Sequence, residues 1–281
     1  VAIVRSNRRL LALVFVVAPL AISGRNHDDR AAAKNVTDRI TQVSVINALM
    51  VGRYDGVMPI EKLMADGDFG LGTLDHLDGE LIVLEGQAFQ ARGDGSVAKV
   101  ARGASTPFAV VTPFDADGVG PCPHAATLAE LDKALDEALG NPNLFLAVRI
   151  DGTFPSITLR SVPAQRPPYR PLAEVAKGQS VWTRQDVRGT LIGIRSPAWV
   201  TALTVPGFHW HFLAHDRRLG GHVLDCRVGE ATVRHDFCRE WLIRFDESAT
   251  FGDAAIGQDL RRELRQVESS RGDEPAPKPK P

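Results

Sequence analysis

Gly207-Phe208-His209-Trp210-His211-Phe212-Leu213, answered by Gly220-Gly221-His222-Val223-Leu224-Asp225, is the stretch on which the reading of this chain turns. Its side chains alternate with period two, and on a β-strand successive side chains point to opposite faces. Phe208, Trp210 and Phe212 therefore share a face that asks for burial, while His209 and His211 share the other. The intervening segment holds Asp216 and ends in Gly220-Gly221, which predicts a turn and an antiparallel return strand. With a loop of even length, His222 lands on the side of His209 and His211. Direct pairing of His211 with His222 needs a tight turn at Asp216-Arg217. Three imidazoles on one ladder are the ligand count of a catalytic zinc-type site with open positions. A lone His-x-His also suits an ordinary half-exposed strand face; the third histidine, with matching parity, turns the pattern toward a metal.

Outward from the hairpin, strand signals recur at 189–194 and 199–205, then at 232–237 and 241–245. Farther upstream, 145–150 puts Leu146, Val148 and Ile150 on one face. The run 157–162 does the same with Ile157 and Leu159, leaving Thr158 and Arg160 opposite. The proline-rich stretch 165–171 could link two layers. A strand at 40–44, short helices at 45–51 and 60–64, and a meander over 80–84, 87–92 and 97–100 precede them. Thr127-Leu128-Ala129-Glu130 is a capping box that opens a helix to about 139, closed by Gly140. A last helix is expected over 254–267, with Ile256, Leu260 and Leu264 on one stripe. Long β meanders with segregated helices mean an α+β fold. The glycine-rich run Gly67-Asp68-Phe69-Gly70-Leu71-Gly72-Thr73 lacks the lysine and the strand-to-helix setting of a phosphate loop, so nucleotide binding there is rejected.

The 281 residues, 44% hydrophobic, suffice for a full core, and a net charge of −1 gives no general attraction to nucleic acid or anionic membrane. Residues 1–23 read as a secretory leader: Arg5, Arg8 and Arg9 precede an apolar run over 10–22 that is too short for a stable membrane span. Export is the expectation; without that leader the protein would be cytoplasmic. A linker over 24–35, a catalytic unit over 36–268 (approximate halves 36–165 and 166–268) and a disordered, charged and proline-rich tail over 269–281 complete the division. Cys122, Cys226 and Cys238 show no Cys-x-x-Cys spacing. Buried free thiols are the ordinary expectation, and a Cys226–Cys238 bridge is the alternative an exported chain would permit. His76, His124, His215 and His235 lack comparable partner spacing and read as surface or satisfied histidines, and Trp182, Trp199 and Trp241 as core.

In this order, the segments resemble the bacterial α-acetolactate decarboxylases, from about residue 42 to 268. The resemblance is carried by Tyr54-Asp55-Gly56, the Gly67–Thr73 run, Leu77-Asp78-Gly79-Glu80-Leu81, Asn143-Leu144-Phe145, Arg149-Ile150-Asp151-Gly152, Gly189-Thr190 and the histidine hairpin. It implies two packed layers of mixed and antiparallel β-sheet with peripheral helices, assembled as a homodimer. It also implies zinc-dependent decarboxylation of (S)-2-hydroxy-2-methyl-3-oxobutanoate to (R)-acetoin, in the formation of acetoin and 2,3-butanediol. Carried over residue by residue, the zinc ligands fall on His209, His211 and His222, further site carboxylates on Glu80 and Glu268, the site arginine on Arg160 and a pocket threonine on Thr73. Glu263, one turn before Glu268, competes for the C-terminal carboxylate, and Arg149 competes with Arg160.

The chemistry suits these residue types. Loss of carbon dioxide leaves two electrons to be spread into the neighbouring ketone, and Zn²⁺ stabilises such charge without redox side reactions. Arg160 would grip the substrate carboxylate or the developing charge, and Glu80 or Glu268 would ligate or move a proton. A cupin-like oxygenase or isomerase also uses His-x-His on a strand, but it places a glutamate shortly after the second histidine, where this chain has Ala214, His215 and Asp216. A purely structural metal site would be closed and usually rich in cysteine.

Overall fold

The structure is a computed structural model that describes residues 23–24 and 38–269. The expected leader, linker and tail lie outside the described residues, apart from Ser23, Gly24 and the backbone of Ser269. One seven-stranded sheet runs in the order β16 (Glu240–Arg244), β2 (Arg39–Val43), β9 (Phe108–Thr112), β4 (Phe69–Thr73), β5 (Glu80–Leu84), β6 (Gln87–Ala91), β7 (Val97–Lys99). It is antiparallel throughout except for the parallel pair of β16 and β2. The other runs β1 (Ser23–Gly24), β10 (Gly118–Pro121), β15 (Ala231–Cys238), β11 (Phe145–Ser161), β12 (Ser180–Ser196), β13 (Gly207–Ala214), β14 (Gly220–Arg227), and β14 pairs back onto β11. A short ribbon of β3 (Met58–Pro59) and β8 (Ser105–Thr106) stands apart. The expected α+β architecture, two layers of mixed and antiparallel sheet with helices at the periphery, is what the chain adopts.

The core explains the layering. Phe69, Leu71, Ile82 and Phe108 from the first sheet meet Ala147, Ile192, Ile194 and Leu213 from the second in one buried cluster between the sheets. The outer face of the first sheet is covered by Ile60 and Leu63 of α2 (Ile60–Leu63). The outer side of the second packs on Leu131 and Leu135 of α3 (Leu128–Leu139). Thr127 caps α3 by accepting from the Glu130 amide at 3.2 Å. The Glu130 carboxylate reaches back one residue farther than a simple capping box predicts, to the Ala126 amide.

Four expectations change. The separate strands at 145–150 and 157–162 are one strand, β11, running through Pro155. The sequence shows a break because the ladder changes partner there: β11 pairs β15 up to Gly152 and β14 from Ser156 onward. A residue without an N–H is tolerated where no ladder bond is asked of it. The parity of the face packed toward α3 shifts at the same point, from Leu146, Val148, Ile150 and Phe154 to Ile157 and Leu159, all in one cluster. Second, 199–205 is a set of turns between Pro197 and Pro206 rather than a strand. Its carbonyls at Ala202 and Leu203 accept the first amides of α1 (Ile46–Met50), which leaves them unavailable to a sheet.

Third, the helix expected over 254–267 is α5 (Ala249–Gly252), an irregular stretch, and then α6 (Arg261–Ser269). The carbonyls of Ile256 and Gln258 are taken by the Asn47 amide at 2.8 and 3.0 Å, so they cannot continue a helical ladder. Fourth, Trp199 is 60% exposed at the edge of the Phe145–Trp241 aromatic cluster rather than in the core. The three cysteines are buried free thiols.

Candidate metal centre

The candidate side chains sit where apolar stripes facing the inter-sheet core end in polar residues. In β4 the stripe Phe69, Leu71 ends at Thr73; in β5, Ile82 and Leu84 share their face with Glu80. In β13, Leu213 shares its face with His209 and His211, and Arg160 of β11 shares its own with Val162. Period-two alternation thus aims all of them into the gap between the sheets.

Register completes the constellation. His211 pairs directly with His222, as a turn at Asp216-Arg217 requires, and Arg217 adopts a positive φ of 61° there. His222 in turn lies opposite Arg160 on β11, just past a bulge after Thr158. The three rings stand 5.0–5.6 Å apart by their centroids, and one donor nitrogen from each lies within 4.8 Å of the others. His211 donates from Nδ1 to the Leu81 carbonyl at 2.8 Å, the backbone contact that fixes its ring and leaves Nε2 free to face the centre. That Nε2 is buried without a hydrogen-bond partner, which is what a metal-ligating nitrogen looks like without its metal. Burial, aided by the Arg160 charge, pushes His209 down to about 3, and burial holds His211 and His222 well below 6.5; all three are the neutral imidazoles a cation needs.

Around them stands a charged triad. Arg160, buried, lies 3.2 Å from Glu80 Oε1 and 3.8 Å from Glu268 Oε1. The other oxygens of these carboxylates face the histidines. Glu80 Oε2 is 3.4 Å from His211 Nε2, and Glu268 Oε2 is 3.7 Å from both His209 and His222 Nε2. Burial raises Glu80 to about 7, with Arg160 opposing and Glu268 adding; burial likewise raises Glu268 against the pull of Arg160. Thr73 is buried beside them and donates to the Gly79 carbonyl at 2.8 Å.

Thr73, Glu80, Arg160, His209 and Glu268 wall one side of a cavity of about 40 Å³, with His211 and His222 buried beside His209. Its other side is apolar: Ile46, Leu49, Leu77, Phe108, Val162 and Leu172. Glu268 also borders two wider grooves, of about 640 and 680 Å³, so the end of α6 separates the cavity from outside.

The structure therefore brings Thr73, Glu80, Arg160, His209, His211, His222 and Glu268 to one place. It does not bring Arg149, which is held by Glu85 and Asp151 at 2.8 Å each, and Glu268 rather than Glu263 lines the cavity. Asp55, Asp75 and His76 form a second cluster of possible donors, but it is exposed and bonded within itself through the Tyr169 hydroxyl. His235 is buried rather than on the surface, its ring lying across Gly118. Sequence reading missed the apolar wall. Half of it, Ile46, Leu49 and Leu172, comes from α1 and from α4 (Leu172–Val175), and helices that short carry too little periodicity to show which side chain faces a cavity. It also missed Asp132 of α3, which accepts from Trp210 Nε1 at 2.8 Å and is raised to about 7, mainly by burial.

The site can hold a divalent cation on three neutral nitrogens, with two carboxylates near it, a fixed cation and a small, partly apolar chamber. Residues 40–258 match the family model described as alpha-acetolactate decarboxylase, a stretch that includes every site residue except Glu268. An alpha-acetolactate decarboxylase of Methanosarcina mazei is 42% identical over 84% of this chain and 82% of its own length; one of Brevibacillus brevis is 37% identical over 85% and 83%. The crystal structure of alpha-acetolactate decarboxylase from Bacillus subtilis strain 168 superposes with a TM-score of 0.79 at 33% identity, over 82% of this chain and 99% of that one. Family model, relatives and fold agree, and the chain belongs to the alpha-acetolactate decarboxylase family of carboxy-lyases.

Proposed function

We propose that the protein converts (S)-2-hydroxy-2-methyl-3-oxobutanoate to (R)-acetoin and carbon dioxide with Zn²⁺ held by His209, His211 and His222. The observation that carries the metal is the meeting of three neutral imidazoles, one with a buried unpaired Nε2, at the edge of the chamber that His209 and Arg160 line. Glu80 and Glu268 are near enough to join the ligand set. Bound there, Zn²⁺ supplies Lewis acidity toward the ketone and hydroxyl oxygens without redox side reactions.

The chain's own residues do the rest. Arg160 pairs with the substrate carboxylate and keeps it against the polar wall, and its charge favours the electron density left when the C–C bond breaks. Thr73 borders the same wall. The carbon that loses carbon dioxide takes a proton, and the source is one of the two carboxyl groups raised by burial, Glu80 or Glu268. A source fixed on one side of a rigid chamber delivers that proton to one face, which yields a single enantiomer. The reading extends to an exported homodimer, from the assembly usual in the family and the basic-then-apolar order of residues 1–23.

The test is to incubate purified protein with racemic substrate and resolve acetoin by chiral chromatography, with and without exhaustive chelation. (R)-Acetoin from zinc-replete protein, lost on chelation and restored by Zn²⁺, is the expected result. No acetoin would overturn the activity, and undiminished turnover without metal would overturn the metal's part.

A further inference from the structure

We infer that Leu49 and Leu172 set the size of the alkyl group on the substrate's hydroxyl-bearing carbon. The inference rests on the reaction proposed above and names the side chains that bound its substrate class.

The cavity is divided. Arg160, Glu80, Glu268 and His209 occupy one side, and the apolar residues occupy the other. The substrate has three oxygen-bearing functions and two methyl groups. Carboxylate, hydroxyl and ketone belong on the polar side, so both methyls fall to the apolar side. At about 40 Å³ the chamber has room for roughly three waters, less than the substrate occupies. Its walls must therefore give on binding, and the least fixed of them bear most on the alkyl group it admits.

Not every apolar residue can act as a size filter. All the apolar wall residues belong to the cluster between the sheets, but Phe108 lies in β9 and Val162 directly follows β11, at 2% and 3% exposure, so truncating them opens the packing of the sheets themselves. Leu49 and Leu172 are the least covered of the apolar wall residues, at 7% and 5%. They come from α1 and α4, two short helices outside both sheets that touch each other, while α4 also touches α6, which carries Glu268. Shortening either leucine lengthens the chamber without touching a strand or the histidine ladder.

The experiment compares kcat/KM for acetolactate and for its 2-ethyl homologue in wild type, Leu49→Ala and Leu172→Ala. One methylene in an apolar pocket is discriminated by about 10–200-fold. The ratio of ethyl to methyl substrate should therefore rise about tenfold or more in at least one alanine variant and fall in Leu172→Phe. Leu49→Val and Leu172→Val, with smaller shifts in the same direction, serve if an alanine variant fails to fold. Competitive binding of 2,3-dihydroxy-2-methylbutanoate and its 2-ethyl homologue is measured by calorimetry alongside. Wild type that binds these acids yet makes no acetoin would sink the proposed reaction while still reading out the size filter. A ratio unchanged within twofold across folded variants, in turnover and binding alike, would overturn the inference.

Discussion

Three imidazoles between two sheets stay neutral because charging any of them would set a cation in a buried space beside the Arg160 guanidinium. That neutrality has a pH signature. An unfolded histidine takes its proton near 6.5, whereas His209 in the folded chain waits until about 3 and the other two until well below 6.5. Below about pH 6.5 the unfolded state therefore binds more protons, and stability falls as pH drops, by up to about 1.4 kcal/mol per pH unit for each histidine. Glu80 acts in the opposite sense. Its folded-state proton is held up to about pH 7, so acidification from there toward the ordinary carboxylate range adds stability. Comparison with a histidine variant separates the two contributions. Chelator-treated wild type should lose thermal stability more steeply between about pH 6.5 and 4.5 than chelator-treated His209→Asn. Equal slopes would mean that the folded state does not hold His209 neutral.

At the scale of elements, the histidine hairpin owes its rigidity to its aromatic face. Trp210 lies between the two histidines in sequence, on the opposite side of β13, and is held there by Phe208 stacked at 5.2 Å and by the bond to Asp132. Beneath it, β12 carries Gly193, where an added Cβ would come within 2.1 Å of the indole ring. Gly193→Ala should cost about 1–3 kcal/mol in denaturant unfolding, the ordinary penalty of overpacking, and should weaken zinc affinity because His209 and His211 flank the displaced ring. A variant with wild-type stability and affinity would show that the aromatic anchor does not hold the ligands.

The hairpin was legible because its alternation is complete and its turn chemistry explicit. Strand β9 of the other sheet was not: Phe-Ala-Val-Val-Thr at 108–112 is buried on both faces, so no alternation marks it. The turns at 199–205 are apolar because they cover the end of α1, and composition alone made them resemble a strand.

Across the whole molecule, the site exists because two sheets made of different parts of the chain face each other. Glu80 and Thr73 come from one sheet, while Arg160 and the three histidines come from the other, and α6 brings Glu268 to close the gap. No local pattern in the sequence announces that Glu80 and Arg160 meet at 3.2 Å across 80 positions; only the family resemblance pointed to both. The histidines were different, since one hairpin holds all three and strand parity alone brings them together. That division also states the central claim: the second sheet supplies a metal centre, and the first sheet and α6 supply the carboxylates around it.

The most direct test is the zinc content of His211→Ala, measured by elemental analysis of purified protein beside wild type, with acetoin formation followed in the same samples. Wild type should carry about one zinc per chain, and the variant should lose zinc and activity together while keeping its fold. A folded His211→Ala that retains stoichiometric zinc would contradict the account.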